Sequence, residues 1–135
     1  CAFALELGAA WAGDTRDSPP QPCAAIIDTT PAWTPVAEAL KNLQAGGRLV
    51  INAIRKESAD QSVLLALDYP EQLWREKEIK SVANVTRRDV RDFLQLAAEI
   101  PLRPEVACYP LEDANRALVE LKRRHVRGAK VLVIG

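Results

Sequence analysis

The side chains able to do chemistry in this 135-residue sequence are few and scattered. Cys1, Cys23 and Cys108 have no C-x-x-C spacing and no histidine nearby, so they read as structural thiols, not zinc ligands. The single histidine, His125, sits among Lys122, Arg123, Arg124 and Arg127, where basic side chains complement a helix end. No Ser, Cys or carboxylate is spaced to make it a general base. No G-x-G-x-x-G follows a strand, so no glycine turn cradles a phosphate at a helix N-terminus. What remains is positional. Three apolar runs end in small or polar residues: Thr29-Thr30 after the first, Asn52-Ala53 after the second and Asn84 after the third. Ligands of open parallel α/β sheets bind beyond the carboxyl ends of the strands, so these ends are candidate contacts. Thr and Asn are also common at any strand exit, so the reading depends on the elements that carry them.

Those elements are well marked. Ala2-Phe3-Ala4-Leu5-Glu6-Leu7 reads as the last turns of an amphipathic helix closed by Gly8. Ala10-Trp11-Ala12-Gly13-Asp14 suits a short strand, and the proline-rich stretch at 17–22 a loop. Ala24-Ala25-Ile26-Ile27-Asp28 lacks alternation, as a strand buried on both faces does. Thr34 as N-cap and Pro35 at the first position open a helix whose face is Val36, Ala39, Leu40 and Leu43, and Gly46-Gly47 stops it. Leu49-Val50-Ile51 is the next strand, which completes a parallel βαβ unit. Residues 55–61 are polar and loop-like, 63–67 form an isolated apolar run, and a strand follows at 79–83. Thr86-Arg87-Arg88-Asp89 resembles a capping box, with Asp in place of Glu, ahead of a face of Val90, Phe93, Leu94 and Ala97. Pro101 and Pro104 break the pattern. A strand at 105–109, a helix at 111–124 with Leu111, Ala114, Leu118 and Leu121 inward, and a strand at 130–134 complete an α/β chain.

Composition narrows the function classes. Apolar residues are 48% and charged residues 27%, with formal net charge zero. That composition excludes a disordered tail and gives no electrostatic reason for nucleic acid or an anionic membrane as partner. No apolar run approaches the ~18 residues of a membrane span, and no charged-then-apolar leader opens the chain. An odd cysteine count in wide spacing points to a reducing compartment, so a cytoplasmic protein is expected. There is no methionine, and the sequence opens inside a helical pattern, so a fragment of a longer protein is expected.

Three stretches together resemble the medium-chain dehydrogenase/reductase family, zinc-type alcohol dehydrogenase branch. They are Ala24 through Thr30 with the following helix and Gly46-Gly47-Arg48-Leu49-Val50; then Ile79 through Asp89; then Leu102 through Val106, Tyr109 through Leu118 and Val126 through Leu132. The ordered set, more than any one stretch, carries the likeness. The resemblance implies a partial Rossmann-like parallel sheet with flanking helices over residues 1–98. It implies that 99–135 return to the catalytic domain.

On that likeness Thr30, with Thr29, lies toward the adenosine of NAD or NADP. Ile51, Asn52 and Ala53 border the nicotinamide, and Val82 and Asn84 meet its carboxamide through backbone groups. The family often has glycine where Val85 stands, and Arg127 or Lys130 stands in for an arginine that reaches the pyrophosphate in some members. The implied activity of the full-length protein is hydride transfer between an alcohol and an aldehyde or ketone, with a zinc whose ligands lie outside this sequence. The chain alone is therefore expected to catalyse nothing. An apolar strand at 62–68 is expected to pair with its copy across a twofold axis in a homodimer or homotetramer. A zinc-free quinone-reductase-like enzyme and a standalone nucleotide-binding module are the alternatives.

Overall fold

The computed structural model describes residues 1–100, 102–123 and 126–135, so the readings placed on Pro101, Arg124 and His125 lie outside the described residues. The chain divides into two compact units, Cys1–Asn84 and Val85–Gly135, a division that falls ahead of the 98/99 boundary read from the sequence.

The first unit is built on a three-stranded parallel sheet. Strands β1 (Cys23–Asp28), β2 (Leu43–Ile51) and β3 (Glu78–Ser81) lie in the order β1-β2-β3. Ile26 pairs with Leu49 and Leu49 with Ile79, so these three lie on one face of the sheet. Helix α2 (Thr34–Asn42) covers that face. Val36 and Leu40 from the helix meet Leu43 and Leu49 from β2, with Ile26, Trp33, Ala39, Ile51, Leu67 and Leu73 packed around them. The expected stripe therefore forms the core, with Ala37 buried as well. On the opposite face, Ile27 is 69% exposed, and within this unit only one side of the sheet is covered.

Gly46 and Gly47 do not stop the helix. The helix ends at Asn42, and Leu43 is already extended and pairs with Cys23. The next pair is Ala25 with Arg48, so β2 advances five residues while β1 advances two. The glycine pair lies in that bulge: Gly46 has φ 68°, and a Cβ on Gly47 would stand 2.9 Å from the carbonyl oxygen of Gln44.

Two expected strands are absent. Residues 10–14 carry no strand. Gln61–Ala66, which includes most of the expected 62–68 strand, is a 3-10 helix. Its entry is bonded i to i+3, with the Gln61 amide donating to the Ser58 carbonyl at 3.2 Å and Val63 to Asp60 at 3.1 Å. Leu67 reaches the core, whereas Leu65 is 91% exposed. A short helix α3 (Tyr69–Gln72) follows, capped by the Asp68 carboxylate on the Glu71 amide at 2.8 Å. Helix α1 (Ala2–Glu6) ends near Gly8 at φ 98°, as the sequence indicates.

The second unit opens with helix α4 (Arg87–Glu99), and its capping box forms in full. The Asp89 amide donates to the Thr86 hydroxyl at 3.2 Å, and the Thr86 amide donates to the Asp89 carboxylate at 2.7 Å. Strands β4 (Val106–Pro110) and β5 (Ala129–Val133) pair in parallel, joined through a 3-10 turn at Leu111–Asp113 and helix α5 (Ala114–Lys122). The inward stripe expected for that helix is wrong: Leu111, Leu118 and Leu121 are all exposed. The 3-10 turn delays the helix to Ala114, and the side turned inward carries Ala117, which is buried, and Glu120, whose carboxylate accepts the Tyr109 hydroxyl at 2.7 Å. No helix among the described residues is long and apolar enough to cross a membrane.

Candidate functional site

Because β1, β2 and β3 are parallel, their carboxyl ends share one edge of the sheet. Asp28 pairs with Ile51, and Ile51 with Ser81, so the three strands finish in a single row. The candidates follow that row directly: Thr29 and Thr30 after β1, Asn52 and Ala53 after β2, Val82 and Asn84 after β3. Two backbone bonds continue the ladder past it. The Asn52 amide donates to the Asp28 carbonyl at 2.7 Å, and the Val82 amide donates to the Ile51 carbonyl at 3.2 Å. At ~4.8 Å between strands the ends span roughly 10 Å, a rim on the scale of a small planar ring and its substituents. Thr29, Asn52, Val82 and Asn84 are exposed, while Thr30, Ile51 and Ala53 are half-buried. Asn84 has φ 62°, a left-handed conformation that asparagine tolerates better than most side chains.

Behind this rim lies a polar network that local reading of the sequence missed. The Asp28 side chain is almost fully buried. Its Oδ1 accepts the Thr30 amide at 3.1 Å and the Thr30 hydroxyl at 2.7 Å, and its Oδ2 accepts the Lys56 ammonium. Burial by itself raises the Asp28 carboxyl, but the bond from Lys56 and those from the Thr30 hydroxyl and amide outweigh it, and the group titrates below its ordinary value. Lys56 also donates to the carbonyls of Thr30 at 3.0 Å and Ala32 at 2.8 Å, and its Nζ stands 5.6 Å from the Trp33 ring centroid.

Asp60 accepts the Trp33 amide with both oxygens at 3.0 Å, and the Thr34 amide and hydroxyl at 2.7 Å each. These bonds, the Trp33 amide first, hold its carboxyl at about 2. Thr34 thus lies in the first turn of α2, and the cap comes from a distant residue. The only local signal was Lys56 and Asp60 standing as charges inside a polar loop.

Arg127 and Lys130, the two alternatives for a pyrophosphate contact, are both engaged with carboxylates. Arg127 bonds Glu105 at 2.9 Å, and Lys130 bonds Glu120 and the Tyr109 hydroxyl. Glu120 and Tyr109 raise the Lys130 ammonium above its ordinary value. The cysteines are all free, with Cys23 half-buried and the other two exposed. An open cleft of about 270 Å³ walled by Trp11, Cys23, Ile26, Pro35, Ala39 and Asn42 involves none of the candidate residues.

No family model matches the chain. It is 39% identical over 132 residues to the Probable alcohol dehydrogenase AdhA of Mycobacterium tuberculosis, a match covering 98% of this chain and 37% of that protein. The chain thus spans little more than a third of the curated relative. Among solved structures, the CAD from Helicobacter pylori complexed with NADP(H) superposes with TM-score 0.69 at 14% identity, over 97% of this chain and 37% of that one. An NAD-dependent alcohol dehydrogenase gives TM-score 0.60 at 23% identity, over 85% of this chain and 32% of that one. The structural likenesses establish the shared α/β fold. The sequence match goes further than fold: along 98% of its length the chain is similar to part of an alcohol dehydrogenase, as a piece of a member of that family would be.

Proposed function

We propose that the full-length protein transfers hydride between an alcohol and an aldehyde or ketone, and that this chain supplies one wall of its coenzyme site. The observation that carries this reading is the single row of strand ends at Asp28, Ile51 and Ser81, with the candidate residues directly beyond it. When bound, a nicotinamide coenzyme supplies the hydride acceptor, and NAD and NADP both suit the reading. Ile51, Asn52 and Ala53 border the ring and keep water from one side of it. Val82 has its amide committed to Ile51, so it offers a carbonyl to the carboxamide, beside the backbone of Asn84. Thr29 and Thr30 lie toward the adenosine.

Family resemblance also implies zinc. Among the described residues, no three or more His, Cys, Asp or Glu side chains are grouped as metal ligands, so nothing assigned to this chain is routed through a metal. A cytoplasmic location and self-association through residues 62–68 belong to the same proposal. The contact would be made by the exposed side of the 3-10 helix.

The test is titration of the full-length protein with NADH and NADPH by fluorescence, followed by alcohol-dependent coenzyme reduction. Native mass spectrometry would read subunit mass and bound zinc in parallel. Saturable binding of either coenzyme together with alcohol oxidation is the expected result. Binding of neither overturns the reading.

A further inference from the structure

The loop leaving β2 is fastened to the loop leaving β1 at four places. The Asn52 amide bonds the Asp28 carbonyl at 2.7 Å, and the Glu57 amide bonds the Pro31 carbonyl at 2.8 Å. Asp60 takes the amides of Trp33 and Thr34. Between these, the Lys56 ammonium spends its three protons on Asp28, Thr30 and Ala32, with the side chains of Lys56 and Asp28 only 11% and 3% exposed. Apolar packing reaches only the far end of the first loop, where Trp33 meets the core, while Ile54 in the second loop is fully exposed and Thr29 is exposed as well. A buried ion pair is a poor source of stability, because a well-packed apolar pair of similar volume often serves as well or better. What the lysine adds is direction: one cation aligns a carboxylate and two carbonyls of the opposite loop.

We propose that Lys56 is a positioning residue for coenzyme binding, fixing the spacing between the loop at Thr29 and Thr30 and the loop at Asn52 and Ala53. The proposal rests on the coenzyme reading of those strand ends. Its consequence is that affinity for the coenzyme and stability of the fold respond separately to changes at this pair. Lys56→Met leaves the Asp28 carboxylate buried without its cation, so it lowers both. Lys56→Met with Asp28→Asn removes the stranded charge while keeping an oxygen for Thr30. Stability then returns, but the carbonyls of Thr30 and Ala32 still lack the lysine that holds them together, the Thr30 hydroxyl at 3.4 Å being the donor left to Ala32.

The experiment uses the full-length protein, its single variants Lys56→Met and Asp28→Asn, and the double variant. Thermal midpoints and dissociation constants for NADH and NADPH are measured for each. The expected result is a double variant with near-wild-type midpoint that binds coenzyme on the order of tenfold more weakly, as a loop displaced from its working geometry would. A double variant that binds as tightly as wild type overturns the role of Lys56 and leaves the coenzyme reading standing. Failure of the wild type to bind either coenzyme overturns both. Hydrogen exchange on the wild type needs no variant: coenzyme should slow the amides of 52–57 and of 28–34 together, and protection of one loop alone also overturns the proposal.

Discussion

Asp60 caps a helix that begins 26 residues before it, its Oδ2 accepting both the amide and the hydroxyl of Thr34 at 2.7 Å. The carboxylate stands where the positive end of the α2 dipole and the unpaired first amides of the helix call for an anion. The same residue closes the loop that runs beside the strand-end rim, so helix start and loop position are set by one side chain.

Protonation should undo that cap. The Asp60 carboxyl is depressed from 3.8 to about 2, with the Trp33 amide as the largest cause. A depressed carboxyl contributes stability that is fully present above the unfolded value and is lost as pH falls through the folded one. Asp60→Asn in the full-length protein should therefore lower the thermal midpoint by a few degrees at neutral pH. The gap from wild type should narrow below pH 3.8 and vanish near about 2. A gap that stays constant over that window in pH-dependent denaturation would show that Asp60 acts without its charge.

Leu40 carries the core of the first unit. It is fully buried, between α2 and the sheet, against Val36, Leu43 and Leu49. Leu40→Ala removes that packing and leaves a cavity, at a cost of about 2–5 kcal/mol. Urea unfolding, followed through a tryptophan in the same unit such as Trp33, measures it. A loss below about 1 kcal/mol would place the core elsewhere.

The elements read correctly from sequence are those whose signals are local. The βαβ unit announces itself through apolar runs and a stripe at helical spacing, and the capping box through Thr86 and Asp89, three residues apart. The failures have two physical sources. A five-residue apolar run such as 63–67 fits a buried strand or a helical turn equally well, and only tertiary contact from Leu67 decides between them. The stripe of the last helix was misjudged because the side that meets β4 carries the small Ala117 and the polar Glu120, which bonds Tyr109, and not the leucines that spacing alone selects. Of the candidate site, the strand ends were legible because polar residues follow apolar runs. Lys56 and Asp60 were not, since their partners lie 24 to 28 and 26 to 27 residues away.

Gly128 tests the second unit. It sits before β5 with φ 74°, and a Cβ there would stand 2.0 Å from the carbonyl oxygen of Glu105. That same carbonyl accepts the Ala129 amide at 2.9 Å, the bond that starts the β4–β5 ladder. Gly128→Ala must either distort the turn or push Glu105 away, so it should cost more than about 1 kcal/mol. Amide exchange at Ala129 and Lys130 should rise with it. Unchanged exchange would mean that the turn adjusts without disturbing the ladder.

Leu65 decides whether the 62–68 segment joins two copies of the protein. A strand there would have offered backbone amides to its copy, but a 3-10 helix has no open ladder to extend, so any association has to come from side chains. Leu65 is the residue for it, 91% exposed on the side away from the core. Placing a charge at the centre of an apolar contact removes buried area and adds desolvation, so Leu65→Lys should convert the full-length protein to monomers on sizing. Coenzyme affinity should not change, because the strand-end rim and the Lys56 and Asp60 ties lie on other residues. A variant that elutes with the wild-type oligomer removes this segment from the interface.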